Sequence, residues 1–504
     1  MNDQDVLLHS NKLVQYLKKP TTEFTRDDIM SFIKGNDIRM LNFRYVAEDG
    51  KLKQLNFSIN SKTHLEEILS IGERVDGSSL FSYVDAGASD LYVIPRYKTA
   101  FVNPFEEIPT LDILCSFYDY QGNPLESAPE HILRKAHDSF KKETGYAMQA
   151  LGELEYYVIT GRNGQDNLYP IQDQRGYHEA PPFTKWCVFR KEALRYISEC
   201  GGLVKYAHSE VGNFTNEYGS FEQNEIEFLP VDVEDAADQM VVAKWILRML
   251  GRKNGVNISF APKITIGKAG NGLHIHMLLE KDGVNVMAGE NGLTDTARKA
   301  IAGVLDLASP LTAFGNTIPT SYLRLVPHQE APTNICWGDR NRSVLVRVPL
   351  GWITKAKMIT DANPQDKSEP PEIPGRQTFE FRAPDGSADI YLLLAGLVVA
   401  VQHGLEMDNA LEIAEKLYVD VNIFQKEHKA QLDNLEHLPT SCWESADHLQ
   451  EKREFFEKNN VFPAGTLDNV IKKLKSYHDI ELSERLYRRQ DEIKHLVDNY
   501  LHCM

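Results

Sequence analysis

Gly152-Glu153-Leu154-Glu155-Tyr156-Tyr157 sets two carboxylates one residue apart, and Gly272-Leu273-His274-Ile275-His276 does the same with two imidazoles. Side chains at i and i+2 of a β-strand share a face, so each run reads as a strand aiming two ligand-grade groups into one space. Alternation of this kind usually marks only the wet face of a half-buried strand. Two such runs, joined by strand segments carrying Glu210 and Glu225, point instead to a sheet built around a cation site. Hard carboxylate oxygens with one or two imidazoles, and no cysteine nearby, suit Mg²⁺ or Mn²⁺ better than Zn²⁺.

Outward from these runs, helical segments at Ala236–Leu250 and Thr296–Leu307 alternate with the ligand-bearing strands, an α+β arrangement in which all the ligands sit on strands. Upstream, a Thr25-x-x-Asp28 capping box opens a short helix. Alternating residues from Arg39 to Ile59 flank the hairpin signal Asp49-Gly50, and strands follow at Leu91–Ile94 and Thr110–Tyr118. This reads as a small, sheet-rich N-terminal domain. Turn residues between Gly122 and Pro129 place the boundary there, giving domains at 1–122 and 123–504. The apolar run Ile390–Val401 is shorter than the roughly 20 residues a bilayer span needs, and reads as a buried helix. Residues 364–374, rich in proline, read as a surface loop.

A chain of 504 residues, 42% hydrophobic, can bury a large core in two or more domains. A net charge of -17 disfavours nucleic acid or an anionic membrane as partner, since both demand a basic footprint. Cys115, Cys187, Cys200, Cys336, Cys442 and Cys503 are scattered, which indicates neither a disulfide framework nor a zinc site and leads us to expect a cytoplasmic protein. The start, Met1 to Asp5, has no apolar core of the secretory kind.

Further motifs carry a family resemblance from about residue 40 to about 465. They are Val75-Asp76-Gly77-Ser78-Ser79, His208-Ser209-Glu210-Val211-Gly212, Gln223-Asn224-Glu225, Ser321-Tyr322-Leu323-Arg324-Leu325-Val326-Pro327, Glu330-Ala331-Pro332, Asn341-Arg342-Ser343 and Phe379-Glu380-Phe381-Arg382. With the two opening runs, in this order and at close to this spacing, the chain resembles the bacterial type of glutamine synthetase. The resemblance implies a β-grasp-like N-terminal domain and a large catalytic domain with a curved antiparallel sheet. It also implies ligation of ammonia to glutamate through a γ-glutamyl phosphate, with ATP as substrate and two or three Mg²⁺ or Mn²⁺ ions per site. In that light Glu155, Glu210 and Glu225 hold the cation nearer glutamate, and Glu153, His274 and Glu380 the one nearer the ATP phosphates. Arg342 and Arg347 match the cations on the phosphates, with His276 on the nucleotide side; Arg324 and Arg382, with Gly270 and His274, match the glutamate site. Asp76, entering from a neighbouring subunit, would bind ammonium and take its proton beside Ser79, Tyr177 and Glu330. That sharing implies a homo-oligomer, a hexameric ring or a dodecamer of two rings.

The chain also departs from the family pattern. It is longer between Glu210 and Glu225, inserting 213–221 with the rival carboxylates Glu217 and Glu222, and it has Ala269-Gly270 where the family has Asn-Gly. Leu278, Pro230 and Thr378 replace a serine, an aromatic ring and an arginine near the adenosine, and Tyr418 reads as structural. The C-terminal segment Glu484–Met504 is charged and amphipathic, unlike the short tail that ties two rings in bacterial relatives. Two other readings stand beside ammonia ligation: a γ-glutamyl ligase that takes an organic amine, and a catalytically silent relative with a structural or regulatory role.

Overall fold

The computed structural model describes residues 3–84, 87, 89–161, 168–290, 292–326, 331–351, 358–368, 375–421 and 434–503. Thr25 and Asp28 form the expected reciprocal capping box on the helix Arg26–Gly35. The N-terminal sheet contains β1 (Met40–Val46), β2 (Leu52–Ser58), β3 (Glu73–Asp76), β4 (Asp90–Pro95), β5 (Phe101–Val102) and β6 (Thr110–Tyr118). Its order is β2-β1-β6-β4-β3, with β5 beside β6; β1 and β6 run parallel and the other pairs antiparallel. Ile29 and Phe32 share one core with Leu41, Phe43, Leu65, Ile113 and Phe117, as a β-grasp of helices on a mixed sheet requires.

The alternation expected of Arg39–Ile59 holds in β2 but not in β1, which is buried on both faces after its first residue. The reason lies outside the strand. Asn42 and Arg44 are turned toward Asp112, donating to it at 2.7 Å each, and the Arg44 guanidinium lies 4.5 Å over the ring of Trp245 on the large domain's helix Val233–Asn254. The same helix holds the N-terminal domain through Asp238, which accepts two bonds from Arg96 (2.7 and 2.9 Å) and one from the Tyr391 hydroxyl (2.7 Å).

The second sheet is built on β7 (Ala147–Thr160), flanked by β10 (Gly219–Phe228) and β13 (Leu273–Lys281). The others are β8 (Val204–Ser209), β9 (Phe214–Asn216), β11 (Val231–Asp232), β12 (Asn257–Ser259), β14 (Val284–Asn285), β17 (Trp337–Asp339), β18 (Val346–Val348) and β19 (Phe379–Phe381). Its main path is β17-β18-β19-β13-β7-β10-β8, antiparallel except for the parallel pair β17/β18; β15 (Ala288–Gly289) and β16 (Gly292–Leu293) form a separate ribbon. One face packs Leu154, Tyr156, Ile226, Phe228, Ile275 and Met277 onto Val233–Asn254 and the almost wholly buried helix Ile390–Glu406. Burying each such side chain contributes about 1.5–3 kcal/mol. A Cβ on Gly152 would lie 2.3 Å from Met240 Sδ, so glycine there lets the helix approach the sheet.

Candidate active site

The polar face of this sheet carries the two opening runs, and the strand register decides what meets what. His276 stands opposite Glu380, itself opposite Arg347; His274 stands opposite Glu153, itself opposite Glu227; Glu155 stands opposite Glu225, itself opposite His208. From these rows Glu153, Glu155, His208, Glu225, His274, Arg347 and Glu380 line one cleft of about 1050 Å³.

Glu153 sits between the two imidazoles, with His274 Nδ1 at 2.9 Å and His276 Nε2 at 3.0 Å. Glu380, 1% exposed, accepts from Arg347 (2.9 Å) and from Arg382 Nε (3.0 Å), with His274 Nδ1 3.4 Å away. Arg382 also donates to the carbonyl of Arg342, and Arg324 donates to the Ala383 carbonyl at 2.8 Å with its other terminal nitrogen 3.5 Å from His274 Nε2. Gly270 fits against this arginine as no other residue could: a Cβ there would meet the Pro262 carbonyl oxygen at 2.1 Å and Arg324 Cγ at 3.2 Å.

At the other end His208 Nε2 lies 3.0 Å from Glu225, and its Nδ1 lies 3.9 Å from Glu210. Glu210 is one residue past β8 rather than on a strand, because the chain turns there toward β9; its carboxylate accepts from the Val211 amide at 2.7 Å. Glu155 lines the same cleft with one oxygen held by the Gly272 amide (2.8 Å) and Gln223 Nε2 (3.0 Å). Gln223 also donates to the Gly270 carbonyl (3.0 Å) and Asn271 (3.1 Å), tying the two ligand runs together.

Burial, reinforced by Glu153, Glu155, Glu210 and Glu227, pushes the Glu225 carboxyl well above its ordinary range. Burial pushes Glu153 the same way, but His276 and His274 prevail and hold it well below. Burial lowers His274 and His208, favouring their neutral forms, whereas at His276 burial is outweighed by Glu153, which raises it. Among the described residues two groups bring ligand atoms within 4.8 Å of one another: Glu153, His276 and Glu380, and His208, Glu210 and Glu225. Carboxylates and imidazoles crowded in this way have the donor chemistry that divalent cations take.

The cleft also takes in Tyr177, Arg342 and Arg347. Asp76 and Ser79 do not line it: they sit on the N-terminal domain, where the hydroxyls of Ser79 and Ser78 hold the Asp76 carboxyl down at about 2. Glu330 lies outside the described residues, as do Pro327 and 369–374 of the proline-rich stretch. His208 is the residue that sequence reasoning passed over, although its i, i+2 spacing to Glu210 is the same signal that marked the other pairs.

Comparison with known proteins agrees with this geometry. A sequence profile described as "Glutamine synthetase, beta-Grasp domain" matches residues 37–120, and one described as "Glutamine synthetase, catalytic domain" matches 126–484. The chain belongs to the glutamine synthetase family. Among its relatives, the glutamine synthetase of Clostridium saccharobutylicum is 29% identical over 85% of this chain and 90% of its own length. That of Pyrococcus horikoshii is 30% identical over 84% and 88%. The cryo-EM structure of Plasmodium falciparum glutamine synthetase superposes with a TM-score of 0.73 at 20% identity, over 91% of this chain and 97% of that one. Ligand-free GmaS superposes at 0.69 with 18% identity, over 91% and 96%, and shares the fold. The family places this chain among the ligases of nitrogen metabolism that work with ATP and divalent cations, and the two ligand groups are of a kind that could hold such cations. Among the described residues, no single helix is long and apolar enough to cross a membrane.

Proposed function

We propose that this chain joins ammonia to the γ-carboxylate of glutamate, using ATP and passing through a γ-glutamyl phosphate. The observation that supports this most is one cleft shared by two cation-capable groups and by Arg324, Arg342, Arg347 and Arg382. Phosphoryl transfer depends chiefly on positioning and charge neutralisation, which divalent cations at the two groups supply when bound. In this reading a glutamate γ-carboxylate oxygen takes the terminal phosphoryl group and ADP leaves; ammonia then attacks the carbonyl carbon and phosphate leaves. Glu380 fixes Arg347, whose remaining N–H donors serve the transferring group, and Arg382, whose remaining donors serve the glutamate. Arg324, wedged on Gly270, receives the substrate carboxylate bidentately, as a guanidinium can and an ammonium cannot. Asp76 of a neighbouring subunit, ionised at neutral pH, draws ammonium into the site and accepts its proton, with Tyr177 and Glu330 as walls. That sharing calls for a ring of subunits.

A second reading, an organic amine as acceptor, has one observation in its favour. Tyr177 stacks on His178 (4.3 Å between centroids) and His178 lies 4.2 Å from His208, an aromatic surface on which an organic cation can rest. Phosphate release with glutamate, ATP and Mg²⁺ separates the readings. Ammonium should outperform every amine in a panel; a reversed order selects the second reading, and no glutamate-dependent release under any acceptor makes the chain a silent relative.

A further inference from the structure

The two departures from the family pattern, the longer stretch after Glu210 and the C-terminal segment, meet in the structure. The insertion is a hairpin, β9 turning into β10, whose tip residue Tyr218 lies 4.6 Å beneath Lys494 on the C-terminal helix Gln490–Tyr500. Each then reaches the amino-acid side of the cleft by its own path.

From the hairpin, Phe214 and Phe221 stack face to face (4.4 Å, 7° between planes) and pack on Tyr157, whose hydroxyl donates to the Ala269 carbonyl at 2.8 Å. The hairpin base contributes Asn213, whose carbonyl accepts from the Gln174 amide (2.8 Å); Gln174 in turn accepts from the Ala269 amide through Oε1 (2.8 Å). Ala269 has no side-chain amide of its own, yet both its backbone polar groups are gripped. From the C-terminal helix, Ile493 and Val497 join Leu486 in a small cluster closed on Leu323, the residue before Arg324. The end of the chain is tied down by Ser259 Oγ to the Leu501 carbonyl (2.6 Å) and Arg248 to the Cys503 carbonyl (2.5 Å). Both paths end at the contact between Gly270 and Arg324.

We propose that the hairpin and the C-terminal helix form one clamp that positions Arg324 and the Ala269-Gly270 turn, and so sets affinity for the amino-acid substrate. Tyr218, Leu323 and Val497 are its positioning residues; none touches the reacting atoms. The inference rests on the reaction proposed above. A displacement of about 1 Å at a substrate-binding group can cost up to about 100-fold in rate, so loosening the clamp has a measurable price far from the chemistry.

The test uses the full chain carrying Val497→Asp, the milder Val497→Ala, Tyr218→Ala, or the conservative Val497→Ile. The KM for glutamate should rise about tenfold in Val497→Asp and in the same direction, by less, in Val497→Ala and Tyr218→Ala, while the KM for ATP stays within about twofold. Val497→Ile should match the wild type. Equal movement of both KM values, or movement of neither, overturns the clamp. If the wild-type chain releases no phosphate with glutamate, the reaction reading fails and the clamp is judged by hydrogen exchange. Val497→Asp or Val497→Ala must then speed exchange in 319–326 and 268–271 while 147–160 stays protected, and unchanged exchange in the first two segments refutes it.

Discussion

Glu380 offers the sharpest test of the cleft, because it has two roles that separate in one experiment. It is almost fully buried and accepts from two guanidinium groups, Arg347 and Arg382, while belonging with Glu153 and His276 to one cation-capable group. Glu380→Ala takes the carboxylate from Arg347 and leaves Arg382 held by the Arg342 carbonyl, a loss of about 3–5 kcal/mol for a broken buried pair. With 504 residues unfolding at about 2.1 cal/mol/K each, the entropy of unfolding is about 1 kcal/mol/K, so Tm should fall by about 3–5 °C in EDTA. Saturating Mn²⁺ supplies the second readout. A cation at about 100 times its Kd adds about 2.7 kcal/mol, or about 2–3 °C, so two sites raise the wild-type Tm by about 5 °C and the variant should keep only half of that rise. Thermal melting in EDTA and in Mn²⁺, run side by side, reads both. A variant that melts with the wild type in EDTA and retains the full cation shift would show that Glu380 neither anchors the arginines nor holds a cation.

Arg382→Lys or Arg324→Lys should lower kcat/KM for glutamate by about 100-fold while Tm moves by less than about 2 °C, since a point cation cannot hold a carboxylate bidentately; unchanged kinetics would remove the arginine from the substrate site. Asp389, whose carboxyl burial pushes up to about 6, predicts a pH effect. The folded state binds the extra proton between pH 3.8 and 6, so the wild type loses about 3 kcal/mol as pH rises through that window and has no such cost below it. Asp389→Asn keeps the cap on the Leu392 amide and should be the more stable chain by that amount at pH 7–8, the two converging below pH 4; parallel melting curves at every pH refute this. Mixing Asp76→Ala chains with Arg342→Ala chains, after subunit exchange, should restore about a quarter of the sites in a closed heterologous ring. Absence of recovery in rings confirmed as mixed by mass would remove the cross-subunit role of Asp76.

Side-chain alternation in Gly152–Tyr157 and Gly272–His276 is an intrastrand property with a period of two, so the sequence alone determined that Glu153 shares a face with Glu155, and His274 with His276. The matched motifs likewise determined the family, the two domains' characters and most members of the cleft. Register between strands is a different quantity. Only the folded sheet placed His276 opposite Glu380 and Glu153 between two imidazoles, because pairing is settled by what the two faces bury over the whole sheet rather than by any one strand. The same pairing set His208 opposite Glu225, while Glu210 falls past the end of β8, where the chain turns toward β9. β1 lost its wet face because a helix some two hundred residues downstream in the chain covers it with Trp245, and Leu323 gained its support from Val497 near the C-terminus. Such contacts join residues distant in sequence, and no local pattern of polar and apolar residues encodes which distant surface will come to cover which.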